Sequence, residues 1–166
     1  MSAPPVILIV MGSDSDLPVM REASAVLTKF GVPWEMRISS AHRSPLRTLA
    51  LASEAAERGI KIIIAGAGMA AHLAGVVAAK TTLPVIGVPT PGGALNGVDA
   101  LYSTVQMPAG IPVATMAIGK AGAKNAGIFA VQILALSDIT LAKALVTYRY
   151  EMDQEVALKD AELQTA

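Results

Sequence analysis

The sequence contains no cysteine, so disulfides, thiolate nucleophiles and cysteine-ligated metals are excluded. Aromatic residues make up only 4% of its 166 residues, and charged residues only 16%, against about 25% charged in a typical soluble domain. Basic and acidic residues number 13 each, which gives a net charge of zero. Because nucleic-acid binding usually needs a basic face, this balance predicts no nucleic-acid partner.

Long hydrophobic runs of the membrane-spanning kind are also missing. An export signal has basic residues followed by a longer apolar stretch. Here no basic residue precedes the first apolar run, and that run covers only Val6 to Met11. The uncharged stretch from Ile62 to Ala79 contains three glycines, a histidine and many alanines, so its insertion into a bilayer would be marginal. We therefore predict a cytoplasmic protein without a membrane partner.

What the chain has in excess is aliphatic and small residues. Hydrophobic residues reach 53%, which is more than one domain of this length readily hides in its interior. We expect a single domain over 1–166 whose remaining apolar surface is buried between subunits of a homo-oligomer. An aliphatic helix predicted over 121–136 and a C-terminal helix from about 138 are the expected contacts.

Apolar runs and segments with helical periodicity alternate along the chain, separated by short polar or glycine-containing loops. The continuous aliphatic run Val6–Val10 is typical of a strand buried on both faces, and Ile60–Ala65, which contains only Lys61 as a polar residue, is predicted as another strand. Predicted strands cover 6–10, 34–39, 60–65, 84–88 and 111–118; predicted helices cover 17–30, 45–58, 69–80, 101–105, 121–136 and 138–158. This alternation predicts an α/β fold, a three-layer flavodoxin-like sandwich with a central parallel sheet of about five strands.

Polar residues gather in the loops after the first two predicted strands, where open parallel sheets bind their ligands. Loop one, Gly12–Asp16, offers free N–H groups and two hydroxyls to a phosphate or sugar hydroxyl, or its residues merely cap the helix. Loop two, Ser39–Pro45, contains Arg43, whose planar guanidinium suits phosphate, and His42, which changes charge near neutral pH. The alternative for loop two is an exposed segment with incidental polar residues.

Loop three, residues 66–73, is made of glycines and small side chains that leave an uncharged hollow. His72 falls one turn into the helix predicted there, as either a packed residue or a chemical group. Asp14, Asp16, His42 and His72 match no compact metal-ligand spacing, so no metal is predicted. The sequence motifs of ATP-driven, serine-hydrolase and nicotinamide chemistry are missing, and no cofactor is predicted.

Phosphorelay receiver domains share this architecture and are the first functional alternative. Asp14, Asp16, Thr90 and Lys120 match the acids, hydroxyl and lysine that such domains place after strands one, four and five. The third predicted strand, however, is followed by glycine and alanine, with no carboxylate to phosphorylate. A receiver function is therefore disfavoured.

Four motifs in the loops occur in a fixed order: Met11–Asp16 (MGSDSD), Ser40–Pro45 (SAHRSP), Ala65–Leu73 (AGAGMAAHL) and Val105–Pro108 (VQMP). From about residue 6 to 150 the chain resembles the catalytic subunit of phosphoribosylaminoimidazole carboxylase, a family that in bacteria acts as N5-carboxyaminoimidazole ribonucleotide mutase. The resemblance implies a homo-octamer with a flavodoxin-like fold. It also implies an isomerase of de novo purine biosynthesis that moves a carboxyl group from N5 to C4 of a small ribonucleotide.

The resemblance implies roles for matching residues as well. His42 would be the catalytic acid and base. The ribose 5-phosphate end would be held by Ser13, Asp16, Ser40 and Arg43, with Asp16 on a ribose hydroxyl. The segment Gly66–His72 would enclose the imidazole and the migrating carboxylate, with Ala67, Gly68, His72 and Leu73 as substrate-binding residues.

The chain departs from the usual family pattern near the expected pocket. Met69 stands where glycine is usual, Ala74 where proline is usual, and the loop Thr90–Gly93 differs from its common form. These departures concern the shape of the pocket and leave the proton-transfer residues intact. Two alternatives to the mutase stay open, a carboxylase that uses CO2 directly and a nucleotide-binding module without catalysis.

Overall fold

The computed structural model describes residues 3–165, in which five parallel strands form one sheet in the order β2-β1-β3-β4-β5. The strands are β1 Ile7–Met11, β2 Trp34–Ile38, β3 Ile62–Gly68, β4 Val85–Thr90 and β5 Ala114–Thr115. The helices are α1 Leu17–Lys29, α2 Pro45–Ser53, α3 Leu73–Ala78, α4 Val98–Val105, α5 Lys120–Ala135 and α6 Ile139–Gln164. This strand order is the flavodoxin-like arrangement, and the predicted fold class is confirmed.

The central strands are continuous aliphatic runs because both faces of the sheet are covered. Every side chain of β1 is buried, as are Ile62, Ile63 and Ile64 of β3. On one face, Leu8 and Ile63 share a core with residues of α2 and α3. Each fully buried aliphatic side chain of this kind stabilises the fold by about 1.5–3 kcal/mol.

The carboxyl end of β1 is where the strand order reverses, and three loops leave the sheet there side by side. The Ser39 N–H donates to the Met11 carbonyl at 2.8 Å, which joins the ends of β2 and β1. The Gly12 N–H donates to the Gly66 carbonyl at 3.1 Å, which joins β1 to β3. The loops that follow β2 and β3 therefore each lie next to the end of β1, at the edge where such folds bind ligands.

Two element boundaries near this edge differ from the prediction. β3 continues to Gly68 because it pairs with β4 as far as the Gly68–Thr90 register. As a result α3 starts only at Leu73, and the residues between them form no helix. The predicted helix over 69–80 was therefore wrong in its first turn.

Three other boundaries differ as well. α2 ends at Ser53, and hydrogen-bonded turns carry the chain back to the sheet, with the Ile60 N–H on the Ala55 carbonyl at 3.0 Å. β5 has two residues instead of the predicted eight, since Pro112 has no N–H for a strand ladder. α6 runs beyond 158 to Gln164 because its last turns consist of good helix formers.

The described residues group into two compact units, one ending at Ala130 and one beginning at Val131. The first unit contains the whole sheet and the three loops. In the second, the Asp138 carboxylate caps α6 by accepting from the N–H groups of Thr140 and Leu141 at 2.8 and 3.2 Å. Within 3–165, every helix is too short or too polar to span a bilayer. The single domain over 1–166 and the packing role of the C-terminal helix stay predictions.

Candidate active site

Loop one folds as a capped 3-10 turn over Asp14–Asp16. The Ser13 hydroxyl accepts from the Ser15 N–H at 3.3 Å, so the capping role considered from the sequence is present. The same hydroxyl donates to the Asp14 carboxylate at 2.9 Å. This hydrogen bond lowers the pKa of Asp14, and backbone N–H groups and Arg43 act in the same direction. Loop one therefore exposes an ionised carboxylate close to Arg43.

Asp16 is the buried carboxylate of this loop, only 8% exposed. Its Oδ2 accepts from the Ser13 N–H at 3.0 Å, and its Oδ1 accepts from the Thr90 hydroxyl at 2.7 Å. A buried carboxylate is tolerated when its hydrogen bonds are made. Both oxygens of Asp16 are thus fixed, and the residue still lines the cleft described below.

The side chain of Arg43 contacts both its own loop, loop two, and loop one. The Arg43 N–H donates to the Ser40 hydroxyl at 3.2 Å, and its guanidinium Nη2 donates to the Gly12 carbonyl at 3.0 Å. This second bond ties loop two to loop one. Behind them the buried hydroxyls of Ser39 and Thr48 pair at 2.8 Å. Since a guanidinium has five N–H donors, Arg43 keeps free donors for an anion.

The two histidines of the chain meet in the site. Nε2 of His42, from loop two, lies 2.8 Å from Nδ1 of His72, from loop three. The rings are nearly perpendicular at 86°, with centroids 4.9 Å apart. The predicted position of His72 inside a helix was wrong, because it directly precedes α3. Placed there, its side chain reaches loop two instead of packing along the helix.

Loop three forms a wall of small residues that packs closely against its neighbours. A Cβ at Gly68 would lie 2.9 Å from Oγ1 of Thr90, and one at Gly66 would lie 2.2 Å from Sδ of Met20. Real Cβ atoms do not approach other atoms so closely. These two glycines therefore let β4 and α1 close against the end of β3.

The loops enclose a cleft of about 630 Å³, within the range of small-molecule sites. Its lining includes every predicted site residue: Ser13, Asp16, Ser40, His42, Arg43, Ala67, Gly68, His72 and Leu73. It also includes Thr90–Gly93, which sequence analysis related to the shape of the pocket without naming any of its residues as substrate-binding. The available signal was that this glycine- and proline-rich segment follows the fourth strand, at the same edge of the sheet. Among residues 3–165, no cluster of three or more potential ligands is placed to hold a metal ion.

Met69 occupies a strained position at the rim of this cleft. Its φ is +56°, in the left-handed region, and its side chain is 60% exposed. The left-handed conformation costs a non-glycine residue about 1–2 kcal/mol, whereas glycine loses about 0.5–1 kcal/mol more entropy on folding. We therefore expect Met69→Gly to raise the thermal midpoint by about 1–4 °C in a melting experiment.

Asn96 provides a matched control, because its φ of +49° is also left-handed. Asparagine tolerates this conformation far better than methionine. Asn96→Gly should therefore change the midpoint less than Met69→Gly. A fall in the midpoint of Met69→Gly would show that the side chain contributes more than its backbone strain costs.

Comparison with known proteins places these loops in a known family. Residues 6–155 match the family described as AIR carboxylase. The chain belongs to the AIR carboxylase family. The family resemblance stated from the four motifs is thereby confirmed.

Relatives within the AIR carboxylase family match almost the whole chain. The N5-carboxyaminoimidazole ribonucleotide mutase of Synechocystis sp. is 56% identical over 163 residues, which cover 98% of this chain and 92% of the relative. The protein of the same name from Mycobacterium tuberculosis is 55% identical over 156 residues, covering 94% and 88%. Among solved structures, that of Treponema denticola PurE superimposes with a TM-score of 0.86 at 30% identity, covering 96% of this chain and 98% of that one.

Proposed function

We propose that this chain is an N5-carboxyaminoimidazole ribonucleotide mutase of de novo purine biosynthesis. It moves the carboxyl group of its substrate from the exocyclic N5 to ring carbon C4, which yields 4-carboxy-5-aminoimidazole ribonucleotide. The names of the relatives from Synechocystis and Mycobacterium tuberculosis support this substrate. The observation that carries the chemistry is the contact of His42 with His72 in a cleft walled by small residues.

The 5-phosphate of the ribonucleotide binds where loops one and two meet. Arg43 supplies a guanidinium already oriented by the Gly12 carbonyl, and Ser40 adds a hydroxyl. The Ser13 hydroxyl joins them when its hydrogen turns from the Asp14 carboxylate to the phosphate. An adjoining hollow of about 480 Å³ also presents Arg47. Asp14, whose pKa is lowered, lines the same hollow and repels a phosphate there, so the phosphate binds through the guanidinium groups of Arg43 and Arg47 and away from this carboxylate. Asp16 accepts a hydrogen bond from a ribose hydroxyl.

His42 carries the proton in both halves of the reaction. As imidazolium it protonates N5 while the N–C bond to the carboxylate breaks, which releases CO2 and the neutral aminoimidazole. Electron-rich C4 then attacks the trapped CO2, and neutral His42 removes the C4 proton. His42 thus gives one proton to N5 and recovers one from C4, and the substrate is neither oxidised nor hydrolysed. Histidine suits this double role because it changes charge near neutral pH.

The small residues of loop three hold CO2 between the two halves of the reaction. Ala67 and Gly68 leave room for the carboxylate, and Leu73 closes the wall behind them. Keeping CO2 beside C4 replaces a bimolecular encounter by an intramolecular one, which is a large source of rate. His72 orients the His42 ring through their 2.8 Å contact.

Arg43→Lys tests the assignment of the phosphate site. Lysine keeps the charge but loses the planar fork that holds both a backbone carbonyl and an anion. We expect KM to rise by about tenfold with kcat changed much less, as measured by steady-state kinetics. A strong fall in kcat at unchanged KM would contradict the phosphate-binding role.

We propose further that the chain works as a homo-oligomer, in the octameric form that the family resemblance implies. Large apolar side chains are exposed in both units, among them Leu46, Leu95, Tyr102, Leu136 and Ile139. Surfaces of this kind mark association sites. Light scattering should give eight times the chain mass of 17.0 kDa, and a monomer at micromolar concentration would overturn the proposal. The cytoplasmic location stays a prediction.

The decisive test of the reaction is incubation of the purified protein with N5-carboxyaminoimidazole ribonucleotide, without ATP or added metal. The mutase produces the C4-carboxylated ribonucleotide from this substrate alone. A carboxylase that uses CO2 directly instead requires aminoimidazole ribonucleotide with bicarbonate. A binding module retains the ribonucleotide in calorimetry and turns nothing over.

A further inference from the structure

We propose that Thr90 is a positioning residue that orients the Asp16 carboxylate toward the sugar and so sets the preference of the enzyme for a ribose over the 2′-deoxy or 3′-deoxy sugar that lacks the hydroxyl bound by Asp16. This inference rests on the proposed function, because it assumes that Asp16 faces a ribose hydroxyl. Its basis is the 2.7 Å hydrogen bond from the Thr90 hydroxyl to Oδ1 of Asp16. Sequence analysis noted Thr90 as a hydroxyl after the fourth strand and as part of a loop that departs from the family pattern, but gave it no partner.

The hydrogen bond between Thr90 and Asp16 joins the ends of two strands that are not adjacent in the sheet. Asp16 follows β1 and Thr90 ends β4, and these strands are not neighbours, because β3 lies between them. Gly68 ends β3 and is paired with Thr90 in the strand register. A Cβ at Gly68 would lie 2.9 Å from the Thr90 hydroxyl. The hydroxyl therefore reaches Asp16 across a position that has to lack a side chain.

The bond leaves Asp16 able to accept from a ligand. A carboxylate has about four acceptor sites, and Asp16 uses one for Thr90 and one for the Ser13 N–H. Bonds from both sides fix the carboxylate plane before a ligand arrives, so less ordering is needed on binding. Thr90 itself is only 1% exposed and acts through Asp16 rather than on the sugar directly.

The test compares Thr90→Val, which keeps the shape but removes the hydroxyl, with Thr90→Ser, which keeps the hydroxyl. We expect Thr90→Val to raise KM by about tenfold with kcat within about threefold of the wild type, since the lost bond is charge-assisted. Thr90→Ser should restore KM to within about threefold. Thr90→Ala, which cannot overpack the site, serves as a second hydroxyl-free variant if Thr90→Val fails to fold.

A second measurement separates positioning from a merely structural role. Calorimetry gives the affinity of each protein for the product ribonucleotide and for its 2′-deoxy and 3′-deoxy analogues. The wild type should bind one of the two analogues at least about fivefold more weakly, and this discrimination should largely disappear in Thr90→Val, as in a double-mutant cycle.

Two results overturn the proposal about Thr90. One is a hydroxyl-free variant with wild-type KM and wild-type discrimination. The other is a loss of thermal stability or kcat with the discrimination unchanged, which makes Thr90 structural only. Failure of the wild type to convert N5-carboxyaminoimidazole ribonucleotide overturns the proposed reaction instead, and the calorimetric discrimination still decides the role of Thr90.

Discussion

Replacing His42 by asparagine is expected to lower turnover by a factor of about 10²–10⁴, the usual contribution of general acid–base catalysis. Asparagine has a similar size and can still hydrogen-bond, but it cannot take up and release a proton in this pH range. The contacts of Arg43 with Ser40 and Gly12 stay in place. Binding of the ribonucleotide should therefore remain within about tenfold, or about 1.4 kcal/mol. Turnover assays and calorimetry on the same protein measure the two effects.

His72→Asn is the matched control, because it removes the other ring of the same contact. We expect a smaller loss of turnover, since His72 orients His42 and does not hold the transferred proton. If His72→Asn were inactive while His42→Asn kept near-normal turnover, the acid–base role would belong to His72.

Replacing Asp16 by asparagine should raise KM by about 10- to 100-fold, because hydrogen bonds to a charged group contribute about 1.5–3 kcal/mol. The amide oxygen can still accept from the Ser13 N–H, and the amide nitrogen can donate to the Thr90 hydroxyl, which then acts as the acceptor. The internal bonds thus survive while the charge is lost. The thermal midpoint should change little.

Asp16→Ala tests the contribution of Asp16 to the stability of the fold separately from its contribution to substrate binding. It leaves the buried Thr90 hydroxyl without its acceptor, which costs about 1–3 kcal/mol. A melting curve should therefore show a lower midpoint for Asp16→Ala than for Asp16→Asn. Equal midpoints combined with equal KM values would contradict the assignment of Asp16 to both tasks.

The sheet could be predicted from sequence because a strand buried on both faces leaves a clear local pattern. The aliphatic runs that became β1 and β3 are short, rich in isoleucine and valine and bounded by glycine, which favours strands over buried helices. The location of the site followed from the same argument, since the carboxyl ends of parallel strands meet at one edge. Loops one and two met there as predicted, joined by Arg43 and Gly12.

What could not be predicted depends on contacts between distant residues. The glycines and alanines around Ala67 have no periodicity, and the length of β3 was set by its pairing with β4. His42 and His72 are 30 residues apart, and Asp16 and Thr90 are 74 apart. No spacing rule relates such pairs. Sequence therefore indicated which residues line the cleft, but not which of them touch.

The distance between the imidazole rings of His42 and His72 determines how they share the hydrogen between them. A separation of 2.8 Å between Nε2 of His42 and Nδ1 of His72 leaves room for a single hydrogen between the rings. Since both nitrogens of an imidazolium carry hydrogens, two charged rings would each direct one into the same gap. Of the two facing nitrogens one therefore donates and the other accepts, so the tautomer of one ring decides which nitrogen of the other ring carries a hydrogen.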